Sequence, residues 1–273
     1  VIAEVNGQVP WTYGERFLAD DDLDVIVRTD RPLPELGHAA PGPVERAIAE
    51  HVSGLVEDGA TLQAGLGAIP EAVLDRLADR RDLGVHSGAI GDAVARLTAS
   101  GAVTNARKTR DHGITVAGLA LGGRPIYELI HCNPAVQFRS TRYTHDAGVL
   151  SGIERFVALN SAVEVDLTGQ VNAEQAAGRY VGAVGGAADF LRGAARSQGG
   201  LPIVALPSLA GGRSRIVARL SGPVSTSRAD AGLIVTEHGV ADLRGQPLSK
   251  RIRRMIDIAA PQFRAALEQE ASQ

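Results

Sequence analysis

The sequence predicts an α/β protein with an open, mainly parallel sheet and helices on both of its faces. Short apolar runs typical of buried strands alternate with segments in which apolar residues recur every three or four positions. Glycine or proline bounds most of these runs, and this alternation indicates crossover units. Only 4% of the residues are aromatic, while alanine and glycine are abundant, which suits close packing of helices on a sheet. At 273 residues the chain is long enough for one large domain or two modest ones.

The first part of the chain predicts two strands and a connector. The runs "VIAEVN" and "LDVIVRT" have the pattern of strands. The following "RPLPELGHAAPGPV" gathers proline and glycine without periodicity, so we place a connector at about 31–43.

From Val44 the pattern predicts a strand, glycine turn and helix that repeat. "VERAIAEHVSGLV" is predicted to be a helix ended by an "EDG" turn, and "ATLQAGLG" a strand running into glycines. "IPEAVLDRLADR" has Pro70 and Glu71 where a first helical turn favours them. "LGVHS" predicts a strand, "HSGAIGD" a turn and "GDAVARLTASG" a helix, and "GLPIVALPS", "RIVARL" and "AGLIVTEHG" predict later short strands.

Two glycine-rich stretches are candidates for ligand binding. Gly65 and Gly67 in "QAGLGAIP" lie between a strand and a helix, where backbone N–H groups can point at negative charge. Gly185 and Gly186 precede a helix predicted to start near Asp189, and their N–H groups could form an oxyanion hole. In both places a tight structural turn explains the glycines equally well.

A third stretch, "LNSAVEVDLTGQVNAE", predicts a half-buried strand with a carboxylate-bearing face. Glu164 and Asp166 share that face, so they could act as paired acids or bind a cation. Periodicity alone favours a solvated strand face.

Composition excludes several functional classes. A net charge of −3 without a basic excess argues against a nucleic-acid partner. Cys132 is the only cysteine, so we expect a small packed side chain in a reducing, cytoplasmic setting. The absence of a long apolar run or signal-peptide pattern predicts no membrane association. The seven histidines form no metal-binding motif, and Gly-x-Ser-x-Gly is absent, so neither a metal site nor a serine-hydrolase elbow is expected. The only methionine is Met255, so we expect residues upstream of Val1.

Long, ordered stretches resemble the acetyl-CoA hydrolase/transferase family, the single-chain class I CoA-transferases that include acetate and 4-hydroxybutyrate CoA-transferases. The matching text is "DGATLQAGLGAIPEAVL", "NSAVEVDLTGQVNAE", "GGAADFLRGAARSQGG", "VTEHGVADLRG" and "IAAPQFRAAL". The resemblance implies a CoA-transferase-like fold, of which this chain is the C-terminal portion. Residues 1–43 would be the end of a first α/β domain plus connector, and residues 44–273 the C-terminal domain. It also implies a homodimer, a CoA thioester as substrate, and no permanently bound cofactor.

The resemblance implies covalent catalysis through a glutamate that attacks the acyl-CoA carbonyl. The matching "HSGAIGD" places Gly88 at the glutamate position, and glycine has no side chain with which to form the adduct. Two further positions depart from the family pattern. His145 in "YTHDAGV" stands where the family has an asparagine, and Ala187 in "GGAADF" stands where it has a glutamine.

The resemblance also implies which groups hold the thioester. The family-like turn Gly65, Leu66, Gly67 and Ala68, together with Gly185, Gly186 and Ala187, would contact the CoA thioester. Backbone N–H groups of the turn near Leu66 and of Gly185 and Gly186 would stabilise its oxygen. Backbone donors do not depend on the side chain, so these contacts survive the substitutions.

We therefore expect hydrolysis, or another thioester reaction, in preference to CoA transfer through a glutamyl adduct. His145 is the candidate general base because imidazole titrates near neutral pH, although an exposed or merely hydrogen-bonded histidine is the alternative. Two alternatives for the function are CoA transfer to a carboxylate acceptor, with the active carboxylate supplied elsewhere, and a non-catalytic acyl-CoA-binding subunit. We interpret Gly88 as natural divergence rather than a deliberate trap, because two neighbouring motifs differ as well.

Overall fold

The computed structural model describes residues 1–15, 18–37 and 40–272. The α-helices in these ranges are α1 (Pro43–Leu55), α2 (Ala68–Asp75), α3 (Asp92–Ala99), α4 (Arg124–Ile130), α5 (Thr141–Thr144), α6 (Ala147–Ser151), α7 (Ala187–Arg196), α8 (Leu248–Asp257) and α9 (Pro261–Ala271). The strands are β1 (Ile2–Asn6), β2 (Tyr13–Gly14), β3 (Val25–Thr29), β4 (Thr61–Ala64), β5 (Gly84–Ile90), β6 (Thr115–Ala120), β7 (Val136–Phe138), β8 (Phe156–Ser161), β9 (Glu164–Asp166), β10 (Val171–Asn172), β11 (Gln175–Ala176), β12 (Arg179–Tyr180), β13 (Leu201–Ala205), β14 (Leu209–Ala210), β15 (Arg213–Ser214), β16 (Ile216–Val217), β17 (Leu233–Thr236) and β18 (Gly239–Asp242).

The main sheet has nine strands in the order β18-β17-β13-β8-β4-β5-β6-β7-β2. Only β18 pairs antiparallel within it, and every other pairing is parallel. Along the chain, the sheet grows from β4 through β5 and β6 to β7, and then from β8 on the other side of β4. The strand order therefore reverses between β4 and β8, and such a reversal opens a crevice at the carboxyl ends of the strands.

Helices cover both faces of this sheet, as the sequence predicts. On β8, Val157 and Leu159 pack into a core with α1 to α4, while Phe156 and Ala158 pack into a second core with α6 to α9. This alternation follows from the period of two of a strand, which sends successive side chains to opposite faces. Continuous apolar runs such as that of β17 are buried along their whole length for the same reason.

The first 29 residues contribute little to this core. β1 and β3 form a separate two-stranded parallel sheet, and Ile2, Val5 and Ile26 remain exposed on it. β2 nevertheless pairs with β7 at the edge of the main sheet. The predicted connector contains no helix or strand between β3 and α1, apart from residues 38–39, which lie outside the described residues. The domain boundary after residue 43 stays a prediction.

Three local expectations were wrong. Ser87 and Gly88 lie inside β5 rather than in a turn, because β5 continues its pairing with β6 as far as Ile90. Cys132 is exposed rather than packed, at a positive φ of 51°. Glu164 and Asp166 on β9 are buried rather than solvated.

Candidate active site

A cavity of about 650 Å³ opens at the carboxyl ends of β4, β5, β6 and β8, where the strand order reverses. Its lining combines small residues, amides and one imidazole. The residues are Gln63, Ala64, Gly65, Leu66, Gly88, Ala89, Gly118, Leu119, Arg139, Ser140, Thr141, His145, Asn160, Gly185, Gly186, Ala187 and Phe190. Most of the residues that the sequence singles out therefore meet in one place. The exceptions are Gly67 and Ala68, at the start of α2, and Glu164 and Asp166, on β9, none of which lines the cavity.

The imidazole of His145 lies directly over Gly88. A Cβ on Gly88 would lie 3.2 Å from Cε1 and 3.3 Å from Nε2 of His145, and 3.3 Å from Cε2 of Phe190. The ring rests against Phe190, with 4.5 Å between the ring centroids. On its other side it touches Gly186, where a Cβ would overlap Nε2 and Cδ2. A side chain at position 88 would thus begin in tight contact with the imidazole, which would have to shift by a few tenths of an ångström.

Partial burial lowers the pKa of His145 below its ordinary value, and the charge of Asp189 opposes this shift only in part. A lowered pKa keeps the imidazole neutral at neutral pH, so that a ring nitrogen can accept a proton. Its position and protonation state both suit a general base.

Backbone donors are available at the mouth of the cavity. In the described parts of the chain, the N–H groups of Leu66, Gly185 and Gly186 donate to no protein acceptor. Gly65 differs, because its N–H donates to the Leu159 carbonyl at 2.9 Å. Three of the predicted N–H donors are thus free to bind an oxyanion, while Gly65 supplies a close backbone approach instead.

Gln63 and Asn160 form a polar floor that sequence reasoning missed. The Asn160 amide donates to Gln63 Oε1 at 3.0 Å, and the Gln63 amide donates to Asn160 Oδ1 at 3.3 Å. Both are buried, and they face each other across the reversal between β4 and β8. The sequence does contain a signal for them, because both lie near the ends of strand-like runs, and ligands bind at the carboxyl ends of strands.

Arg139 is a second residue that the sequence did not indicate. Its guanidinium lies 3.0 Å from Asp111 Oδ1 and 4.5 Å from the centre of the Tyr143 ring. The Tyr143 hydroxyl donates to the other oxygen of Asp111 at 2.8 Å. Because Asp111 balances its charge, Arg139 brings hydrogen-bond donors to the cavity without net charge.

No described residue that lines the cavity is an aspartate or a glutamate. Glu164 and Asp166 lie on β9, and both are buried rather than solvated. Glu164 accepts from the backbone and hydroxyl of Ser221 at 2.6 and 2.8 Å, and Asp166 accepts from Thr168 and Gln170. These carboxylates therefore form neither a solvated strand face nor a pair of acids. Each one instead accepts hydrogen bonds from a neighbouring loop and orders it.

Ser87 points to the opposite side of β5 from His86 and Gly88. Its hydroxyl donates to the Ala89 carbonyl at 2.7 Å, so it is engaged in the strand itself.

Among the described residues, no three His, Cys, Asp or Glu side chains are grouped as metal ligands. Of the helices that the structure describes, none combines the length and apolar character needed to cross a membrane.

His86 lies two residues before Gly88 on the same face and is fully buried. Burial, helped by the charge of Lys108, lowers its pKa from 6.5 to about 4. The unfolded chain therefore binds a proton between these two pH values that the folded chain does not bind. Stability should fall as the pH drops through this window.

We expect His86→Gln to reduce this acid sensitivity. In the native protein, the lowered pKa of His86 corresponds to a loss on the order of 3 kcal/mol of unfolding free energy on acidification, and this loss is complete below about pH 4. Urea denaturation at pH 7.5 and pH 4.5 should give a smaller difference between the two pH values in the variant than in the native protein. His112→Gln, at an exposed histidine, is the matched control. Equal differences in the native protein and His86→Gln would contradict the prediction.

The chain is similar to known proteins along almost its whole length. The profile of the acetyl-CoA hydrolase/transferase C-terminal domain matches residues 122–271. The chain is 43% identical over 274 aligned positions to the 4-hydroxybutyrate coenzyme A transferase of Clostridium kluyveri, covering 99% of this chain and 64% of that protein. Among solved structures, RipA from Yersinia pestis is similar with a TM-score of 0.94 at 39% identity, covering 99% of this chain and 62% of that one. The 4-hydroxybutyrate CoA-transferase of Porphyromonas gingivalis gives a TM-score of 0.88 at 37% identity, covering 99% of this chain and 65% of that one. The chain therefore spans a little under two thirds of the length of these relatives.

Proposed function

The chain belongs to the acetyl-CoA hydrolase/transferase family, and from that premise we propose that it hydrolyses a CoA thioester with His145 as the general base. The observation that carries this proposal is the position of the imidazole against Gly88, the residue that we match to the family's glutamate. The cavity offers a base and backbone donors, and its described lining has no carboxylate with which to form an acyl-glutamyl anhydride.

The proposed reaction needs only water as the second substrate. Water adds to the thioester carbonyl carbon while Nε2 of His145 accepts one of its protons. The carbonyl oxygen becomes an oxyanion, which the N–H groups of Leu66, Gly185 and Gly186 would stabilise. Collapse of this intermediate breaks the C–S bond, and the leaving thiolate takes the proton back from the imidazolium. The products are a carboxylic acid and CoA.

The thioester itself fits the surroundings of the base. Phe190, Leu66 and Leu119 give the cavity apolar walls, while Gln63 and Asn160 give its floor hydrogen-bonding groups. Because the imidazole fills the space next to Gly88, the acyl group would extend along these walls rather than into the place of the missing side chain. No resident cofactor is needed for this chemistry.

A test separates hydrolysis from transfer. We expect the full-length protein to release CoA from a panel of acyl-CoAs at a rate that added acetate, butyrate or succinate leaves unchanged. Thiol detection would measure free CoA, and chromatography would detect any new acyl-CoA. Formation of a new acyl-CoA that depends on the acceptor would contradict hydrolysis as the main reaction.

CoA transfer is the second candidate, and the relatives favour it, since several of them are CoA-transferases. It would require the active carboxylate to come from another chain, because Gly88 has none. A non-catalytic acyl-CoA-binding subunit is the third candidate. Calorimetric binding of CoA without turnover of any thioester in the panel would support it.

We also propose, on the strength of the family, that the protein is a cytoplasmic homodimer preceded by an N-terminal portion. Sedimentation of the full-length protein at several concentrations would test the dimer, since a monomer throughout would overturn it.

A further inference from the structure

Thr144 lies between two histidines at the end of α5 and is fully buried. Its hydroxyl oxygen is 2.8 Å from Nδ1 of His145 and 3.3 Å from the carbonyl of Ser140. Its own carbonyl is 3.2 Å from Nε2 of His86. One residue therefore contacts both the candidate base and the buried imidazole behind it.

The hydroxyl of Thr144 has one hydrogen, and this limits how His145 can be protonated. If that hydrogen points to the Ser140 carbonyl, Nδ1 of His145 must carry its own hydrogen and donate it to Oγ1, which gives two hydrogen bonds. If the hydrogen points to Nδ1 instead, only one bond forms. Because no solvent reaches Thr144, the arrangement with the additional bond is favoured.

The favoured arrangement determines which nitrogen faces the substrate. With the hydrogen on Nδ1, Nε2 keeps its lone pair. Nε2 is the atom nearest to a Cβ placed on Gly186, and it is 3.3 Å from a Cβ placed on Gly88. Because both glycines line the cavity, Nε2 lies on the cavity side. In the described residues Nε2 has no protein hydrogen-bond partner, which leaves it open to a water molecule.

His86 fixes the backbone of Thr144. A carbonyl can only accept, so Nε2 of His86 must donate to it, and this leaves Nδ1 of His86 without a hydrogen. That nitrogen is buried and has no hydrogen-bond partner within the described ranges. The low pKa of His86 agrees with a neutral ring held in this single tautomer. The rings of Phe156 and His86 form a T-shaped pair, with centroids 6.4 Å apart and an interplanar angle of 90°.

We propose that Thr144 is a positioning residue, whose hydroxyl holds His145 in the Nδ1–H tautomer and so directs the Nε2 lone pair into the cavity. The proposal rests on the proposed function for its catalytic meaning, but the tautomer itself is a property of the free protein. His86 contributes by holding the Thr144 carbonyl in place.

The test compares Thr144→Val, which keeps the branched shape but removes the hydroxyl, with Thr144→Ser, which keeps the hydroxyl. Nitrogen-15 NMR of histidine-labelled protein, without substrate, reports which imidazole nitrogen carries the hydrogen. We expect the Nδ1–H form of His145 in the native protein and in Thr144→Ser, and a gain of the Nε2–H form in Thr144→Val. In turnover, Thr144→Val should lower kcat about 5- to 10-fold with little change in KM, and Thr144→Ser should restore it.

The outcomes separate this inference from the proposed function. An Nε2–H form of His145 in the native protein would overturn the inference without any variant, and so would an unchanged tautomer in Thr144→Val. If the tautomers behave as expected but no thioester is hydrolysed, the positioning role of Thr144 stands and the hydrolase proposal fails.

Discussion

Replacing His145 by alanine should lower kcat for thioester hydrolysis about 10²- to 10⁴-fold, the usual contribution of a general base. The imidazole is the only described side chain of the cavity lining that can take up a proton near neutral pH. CoA release under saturating acyl-CoA measures the loss. The KM should change little, because the wall and floor of the cavity remain.

His112→Ala is the control, because that histidine is exposed and does not line the cavity. The pH dependence of kcat/KM in the native protein is a second test of His145 as the base. Since burial lowers the pKa of His145, kcat/KM should fall only as the pH drops below the ordinary histidine value of about 6.5. Hydrolysis that persists in His145→Ala would remove the base assignment.

Gly186→Ala should lower kcat on the order of 10²-fold, the loss expected when a reacting group is displaced by about 1 Å. The added methyl group would overlap Nε2 and Cδ2 of His145, so the imidazole would have to move. Gly186 has φ −80° and ψ 5°, which alanine adopts without strain, and its N–H is retained. The loss of kcat would therefore result from displacement of the imidazole and not from a change in the backbone.

Gly185→Ala is the matched comparison, since a Cβ there meets nothing within 4 Å. We expect a much smaller loss of kcat in this variant, although the residue is a neighbour in the same loop. Thermal unfolding of both variants should be close to that of the native protein. Equal losses in Gly185→Ala and Gly186→Ala would show that the loop, and not contact with His145, is responsible.

The sequence predicts the sheet well because its strands are buried on both faces. Runs such as those of β13 and β17 are continuously apolar, and glycines separate them from amphipathic helices. The spacing of the apolar residues and the glycines between segments both indicate crossover units. The strand β5 was harder to delimit. Gly88 lies within it, and glycine has a low strand propensity, so the sequence suggested a turn where pairing with β6 continues.

The site could be predicted only in part. Family resemblance indicated Gly88, His145 and Gly186, and the structure brings these residues into contact. It could not indicate that Thr144 connects His145 to His86, because the contact with His86 joins positions 58 residues apart. The burial of Glu164 was missed for the same reason, since its partner Ser221 lies 57 residues further along the chain.

The close approach of Gly88 and Gly186 to one imidazole has a consequence for redesign of the site. A glutamate introduced at position 88 would begin its side chain 3.2 Å from Cε1 and 3.3 Å from Nε2 of His145, so the ring would have to shift to admit it. Residues in contact do not act independently when they are replaced. A nucleophilic carboxylate should therefore be introduced at position 88 together with a smaller side chain at position 145.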